Sequence, residues 1–98
     1  MQKTNTYELY LQMISAGNED EDVSGKELTL HFDNHDDIFS IIERLREKDL
    51  FNSLEQATEF AIGLKMFSEV MIKNRQHPLF EELQPAFSTF MQKLKTLT

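Results

Sequence analysis

The stretch KELTLHFDNHDDIFSIIERLREK at residues 26–48 contains the change of period that decides the fold. Its first part alternates apolar and polar residues, the period of a half-buried β-strand, with apolar side chains at Leu28, Leu30 and Phe32. Its second part has the spacing of an amphipathic helix of about four turns, with apolar side chains at Ile38, Ile41, Ile42 and Leu45. Between them, Asn34 is the expected N-cap, because its side-chain oxygen can accept from a free N–H of the first turn.

A second alternating segment precedes this stretch. Residues 6–14 read TYELYLQMI, and the apolar parity carries Tyr7, Leu9, Leu11 and Met13. Residues 15–25 hold turn-forming residues and four consecutive acids at 19–22, as expected of a loop. Two neighbouring strands joined by a short loop predict an antiparallel hairpin, with its apolar face buried.

The remaining residues predict helices. Ser53 and Gln56 fit a capping box that opens a helix over residues 54–74. Gly63 in its middle costs helix stability, which predicts close approach of another element there. His77-Pro78 ends this helix, and Pro85 either separates a short helix at 79–83 from one at 85–96 or kinks one longer helix.

These elements predict an α+β fold of two layers in the order ββααα. An antiparallel N-terminal hairpin packs on three helices, the last of them split or kinked at Pro85. The 98 residues have the usual length of one domain, so residues 1–98 are expected to form a single domain.

Composition and charge exclude several classes of function. The chain is 40% hydrophobic and 28% charged, which is globular, and it has no cysteine for disulfides, thiolate catalysis or Cys-based metal sites. Its net charge of −7 lies within residues 1–37, which hold nine acids against two lysines, so nucleic-acid binding is disfavoured. No membrane-spanning run and no signal-peptide core are evident, so we expect a cytoplasmic protein without a membrane partner.

Candidate chemical sites are few. Imidazoles and carboxylates that could bind a metal ion gather at His31, Asp33, His35, Asp36 and Asp37. These side chains need not converge, and helix capping explains the carboxylates, so we predict no metal site. If a metal ion were bound, His31, His35 and Asp36 would be the candidate ligands. The acids at 19–22 lack the ligand spacing of a calcium loop. No catalytic motif and no cofactor motif is present, so the sequence predicts a non-enzyme without a cofactor.

Apolar groups without an obvious place in the core indicate an interaction surface. Tyr10 and Ile14 lie on the outer parity of the first strand, and Leu50 and Phe51 lie in a connection. A two-stranded sheet also has open edges and an uncovered face. The leading hypothesis is a non-enzymatic protein–protein interaction module that forms a homodimer or binds an unknown protein partner. The alternatives are a small-molecule or ion-binding domain and an acidic decoy of a nucleic-acid-binding protein.

Two segments carry a family resemblance. The run Asn34-His35-Asp36-Asp37-Ile38-Phe39 after an apolar strand, and His77-Pro78-Leu79-Phe80 followed by Pro85-Ala86-Phe87, resemble a small bacterial family, domain of unknown function 3861. The resemblance covers nearly the whole chain. It implies a bacterial cytoplasmic protein with no assigned activity, and it transfers no catalytic or binding residue.

Replacing the four acids at residues 19–22 by Gly and Ser should change the free energy of unfolding by less than about 0.5 kcal/mol, as surface changes usually do. Urea denaturation measures this change. A large loss of stability would reveal a structural or ion-binding role for the loop.

Overall fold

The computed structural model describes residues 3–98, and its N-terminal part is an antiparallel hairpin. Strand β1 spans Asn5–Gln12 and strand β2 spans Glu27–Asn34. Tyr7 lies opposite Phe32, and Leu11 lies opposite Leu28. This is the hairpin that the two alternating segments predict.

The register separates an apolar face from a polar face, because directly opposed residues share a face of the sheet. On the apolar face, the rings of Tyr7 and Phe32 stack with their centroids 5.3 Å apart and are half-buried. Towards the loop, Leu11, Leu28 and Leu30 are exposed. The expectation of a buried face is therefore wrong at this end, since a hairpin alone provides no second layer to cover it.

Four helices follow the hairpin, so the α+β fold class is confirmed. They are α1 (Ile38–Lys48), α2 (Leu54–Lys73), α3 (Pro78–Glu81) and α4 (Leu83–Leu97). No helix among residues 3–98 is both long and apolar enough to cross a bilayer.

The N-terminus of α1 differs from the expected one. Asp37, not Asn34, is the N-cap, and its carboxylate accepts hydrogen bonds from the backbone N–H groups of Phe39 and Ser40. Asn34 remains in β2 opposite Asn5, and its side-chain oxygen accepts from the N–H of Asp36. Strand pairing thus holds Asn34 in extended conformation, which shortens α1 to 11 residues.

The other helix boundaries follow the sequence more closely. The Ser53 hydroxyl accepts from the N–H of Gln56, which confirms the predicted cap of α2. Pro78 begins α3 after His77, and the last helical segment is split at Glu82 rather than at the predicted Pro85. Pro85 lies in the first turn of α4, where backbone N–H groups have no partner within the helix, so it breaks no hydrogen bond.

The helices have a small core. Helix α1 packs on α2, and the buried side chains of this pair are Ile38, Ile42, Leu45, Ala57, Ala61 and Met71. Phenylalanine ring contacts join α2 to the later helices, with centroid distances of 6.1 Å for Phe67–Phe80 and 6.2 Å for Phe60–Phe90. The described residues divide into two compact units, one ending at Asp36 and the other comprising Asp37–Thr98.

Gly63 does not mark a close approach between elements. A Cβ atom at this position would meet no neighbouring atom within 4 Å. The predicted contact is therefore wrong, and the glycine lowers helix propensity without a packing role.

Gly63→Ala should stabilise the protein by about 1 kcal/mol, because alanine is the better helix former and space is available. Gly25→Ala is the matched control and should destabilise, since Gly25 has a φ of 79° that strains an L-residue. Urea denaturation of both variants tests the pair, and a destabilising Gly63→Ala would contradict it.

Candidate interaction surfaces

Polar side chains on the polar face of the hairpin form contacts across the two strands. His31 Nε2 lies 2.9 Å from Glu8 Oε1. The Thr6 hydroxyl donates to Asp33 Oδ1 at 3.0 Å. The Tyr10 hydroxyl donates to Glu27 Oε2 at 3.1 Å. This face therefore presents polar pairs that are already made within one chain.

The three candidate metal ligands have different local surroundings. His31 contacts Glu8, and the backbone carbonyl of Asp36 accepts from the hydroxyl of Tyr7 at 2.9 Å and from Asn5 Nδ2 at 3.2 Å. His35 is exposed. Among residues 3–98, no three His, Cys, Asp or Glu side chains come together to hold a metal ion.

The acidic loop is tied by local contacts. Lys26 Nζ lies 2.7 Å from Glu21 Oε1. Hydrogen bonds from the backbone N–H and the hydroxyl of Ser24 hold the pKa of Asp22 below its usual range. Asn18 accepts from the backbone N–H of Asp20 through its side-chain oxygen. Polar groups of Asn18, Glu21 and Asp22 therefore already have partners within or next to the loop.

The apolar face of the hairpin is open near the loop. We define the exposed hairpin face as Leu11, Met13, Leu28 and Leu30, whose exposed fractions are 60%, 42%, 54% and 40%. A depression of about 390 Å³ lies at its end, lined by Leu11, Gln12, Met13, Lys26, Glu27 and Leu28. The alternating pattern identifies these leucines as one face, but it cannot show whether anything covers that face.

Tyr10 and Ile14, expected to form an interaction surface, do not belong to the exposed hairpin face. Tyr10 lies opposite Thr29 on the polar face and is 55% exposed, with its hydroxyl bonded to Glu27. Ile14 follows the end of β1 and is 87% exposed.

Leu50 and Phe51, the other two expected interaction residues, line a groove in the helical unit. Phe51 lies edge-to-face on Phe60, with centroids 5.2 Å apart, and Phe60 contacts Phe90 in turn. We call this depression of about 340 Å³ the phenylalanine groove; its lining is Leu50, Phe51, Phe60, Phe90, Lys93, Leu94 and Leu97. The α4 residues were not expected here, although their spacing of three and four places them on one helix face.

Comparison with known proteins agrees with the fold. The sequence model of a domain of unknown function with a solved structure, domain of unknown function 3861, matches residues 5–96. The chain belongs to this family. A crystal structure of a protein of unknown function from Pectobacterium atrosepticum is 33% identical, with a TM-score of 0.82 over 96% of this chain and 99% of that chain. The search of curated proteins finds no match.

The expected resemblance to domain of unknown function 3861 is thereby confirmed. Neither the family description nor the related crystal structure names an activity. The surfaces of this family member must therefore be interpreted from their own chemistry.

Tyr7→Phe should destabilise the protein by about 1 kcal/mol, because it removes the hydrogen bond to the carbonyl of Asp36 while keeping the ring stacked on Phe32. Tyr10→Phe is the control and should cost less than about 0.5 kcal/mol, since Tyr10 is 55% exposed and water can solvate its surroundings, whereas Tyr7 is half-buried. Urea denaturation compares them, and equal losses would contradict the structural role of the Asp36 carbonyl.

Proposed function

We propose that the chain is a non-enzymatic protein–protein interaction module that forms a homodimer through the exposed hairpin face. The observation that carries this proposal is the exposure of Leu11, Leu28 and Leu30 on one face of a two-stranded sheet, with exposed Met13 directly after the end of β1. Burying such apolar surface against a partner is favourable, because it removes the surface from water. Burial of the opposite, polar face of the hairpin would be less favourable, because its polar groups already bind one another.

Local charge is compatible with a second copy as the occupant. The depression at the end of the exposed hairpin face is lined by one cation, Lys26, and one anion, Glu27. This lining therefore has no net charge and does not repel its own copy, although the whole chain carries −7. A two-fold axis would bring the same apolar patch of each copy together, as in most homodimers.

The cellular setting is part of the same proposal. The organism of the related crystal structure supports a bacterial origin. The cysteine-free composition agrees with a reducing compartment such as the cytoplasm. The excess of acids in residues 1–37 argues against a nucleic-acid partner, because phosphates would be repelled.

Sedimentation equilibrium at micromolar concentration should give twice the chain mass of 11.5 kDa for the unmodified protein. Leu28→Lys should raise the dimer dissociation constant at least about tenfold, because it buries a charge at the interface. Thr29→Lys is the matched control: it adds the same charge at the next residue, on the opposite face, and should leave the dimer intact.

Three results would overturn this assignment. A single species of 11.5 kDa for the unmodified protein would remove the homodimer. Dissociation by Thr29→Lys alone would move the interface to the face of Tyr10. A dimer that neither lysine weakens would place the interface elsewhere, for example along the open edge of β1. Circular dichroism of each variant verifies that the helices remain folded.

A further inference from the structure

The phenylalanine groove combines an apolar floor with one cationic group at its wall. Phe51, Phe60 and Phe90 form a continuous series of ring contacts, with centroid distances of 5.2 and 6.2 Å. Phe51 remains 37% exposed and Phe90 42% exposed, so the chain itself does not fill the groove. Its volume of about 340 Å³ lies at the small end of the range for small-molecule sites.

Lys93 is the one charged residue among the described residues that line the groove. Its ammonium group forms no ion pair or hydrogen bond with the part of the chain that the structure describes. Helix α4 contains no Asp or Glu, so no acid lies one turn away on the same helix. Although the chain has a net charge of −7, an anionic ligand in this groove would therefore meet the Lys93 ammonium group beside apolar surface.

The helix dipole does not fully account for Lys93. Cations are favoured in the last turn of a helix, and Lys95 occupies that turn of α4. Lys93 lies further from the end, and its side chain lines the groove among Phe90, Leu94 and Leu97. An occupant with an apolar tail and a single anionic head would match both features of the lining.

We propose that the phenylalanine groove binds a small aliphatic monocarboxylate, with its chain against the phenylalanine rings and its carboxylate at Lys93. This site lies in the helical unit and does not depend on the homodimer proposed for the hairpin. A charge-assisted hydrogen bond from Lys93 fixes the head, and burial of methylene groups supplies affinity that rises with chain length.

Isothermal titration calorimetry with decanoate below its micelle concentration tests the site. Decanoate should bind in the micromolar to millimolar range, and octanoate should bind more weakly by about fourfold for each methylene removed. Lys93→Glu should weaken decanoate binding at least tenfold. Lys95→Glu, the matched control on the same helix but outside the lining, should change it less than twofold.

Two further titrations distinguish carboxylate recognition at Lys93 from general adsorption of an alkyl chain to apolar surface. Decanol, which has no carboxylate, should bind the unmodified protein more weakly than decanoate and should not respond to Lys93→Glu. Leu28→Lys, which alters the exposed hairpin face, should leave decanoate binding unchanged, so failure of the dimer would not affect this result. Absence of decanoate binding, equal losses in the two lysine variants, or loss of binding in Leu28→Lys would each overturn the proposal.

Discussion

A two-stranded sheet cannot cover its own apolar face, and this constraint governs the hairpin and its proposed role. Each strand has one neighbour, and cross-strand pairing fixes which side chains share a face. On the polar face, side chains pair with one another, as Glu8 does with His31 and Tyr10 with Glu27. The leucines are therefore held on the other face, where Leu11 and Leu28 meet water. Their burial requires something that the hairpin itself does not contain.

The helical unit also buries few large side chains, and its packing differs from that of the hairpin. The α1–α2 pair combines large side chains of α1 with the small Ala57 and Ala61 of α2. No large side chain of the described residues is completely buried, and Phe60, Phe67 and Phe90 connect the helices by ring edges. Packing by a few large rings leaves a depression between them, and the phenylalanine groove is that depression.

Sequence periodicity was sufficient for the elements whose signals are local. The alternation around Leu28 gives the strand and its face, Ser53 gives the start of α2, and Pro78 gives the start of α3. Asn34 was misassigned because two neighbouring residues, Asn34 and Asp37, both have side chains suited to an N-cap. Strand pairing with Asn5, which is not local, decides between them.

Predictions that depend on tertiary surroundings were less successful. Alternation identifies Leu11 as a member of an apolar face, yet exposure depends on what lies above that face. Gly63 has the same cost to helix propensity whether or not a neighbour approaches, so its open surroundings could not be foreseen. The sequence identifies Leu50 and Phe51 as apolar groups in a connection, but Phe60, Phe90 and Lys93 become their neighbours only through folding.

The central claim is that two copies share the exposed hairpin face, and intermolecular nuclear Overhauser effects test it most directly. An equal mixture of isotope-labelled and unlabelled protein allows contacts between copies to be observed separately from contacts within one copy. The account predicts intermolecular effects between the methyl groups of Leu11, Leu28 and Leu30. A dimeric sample in which such effects are confined to Tyr10 and Ile14, or are absent from the hairpin altogether, would contradict it.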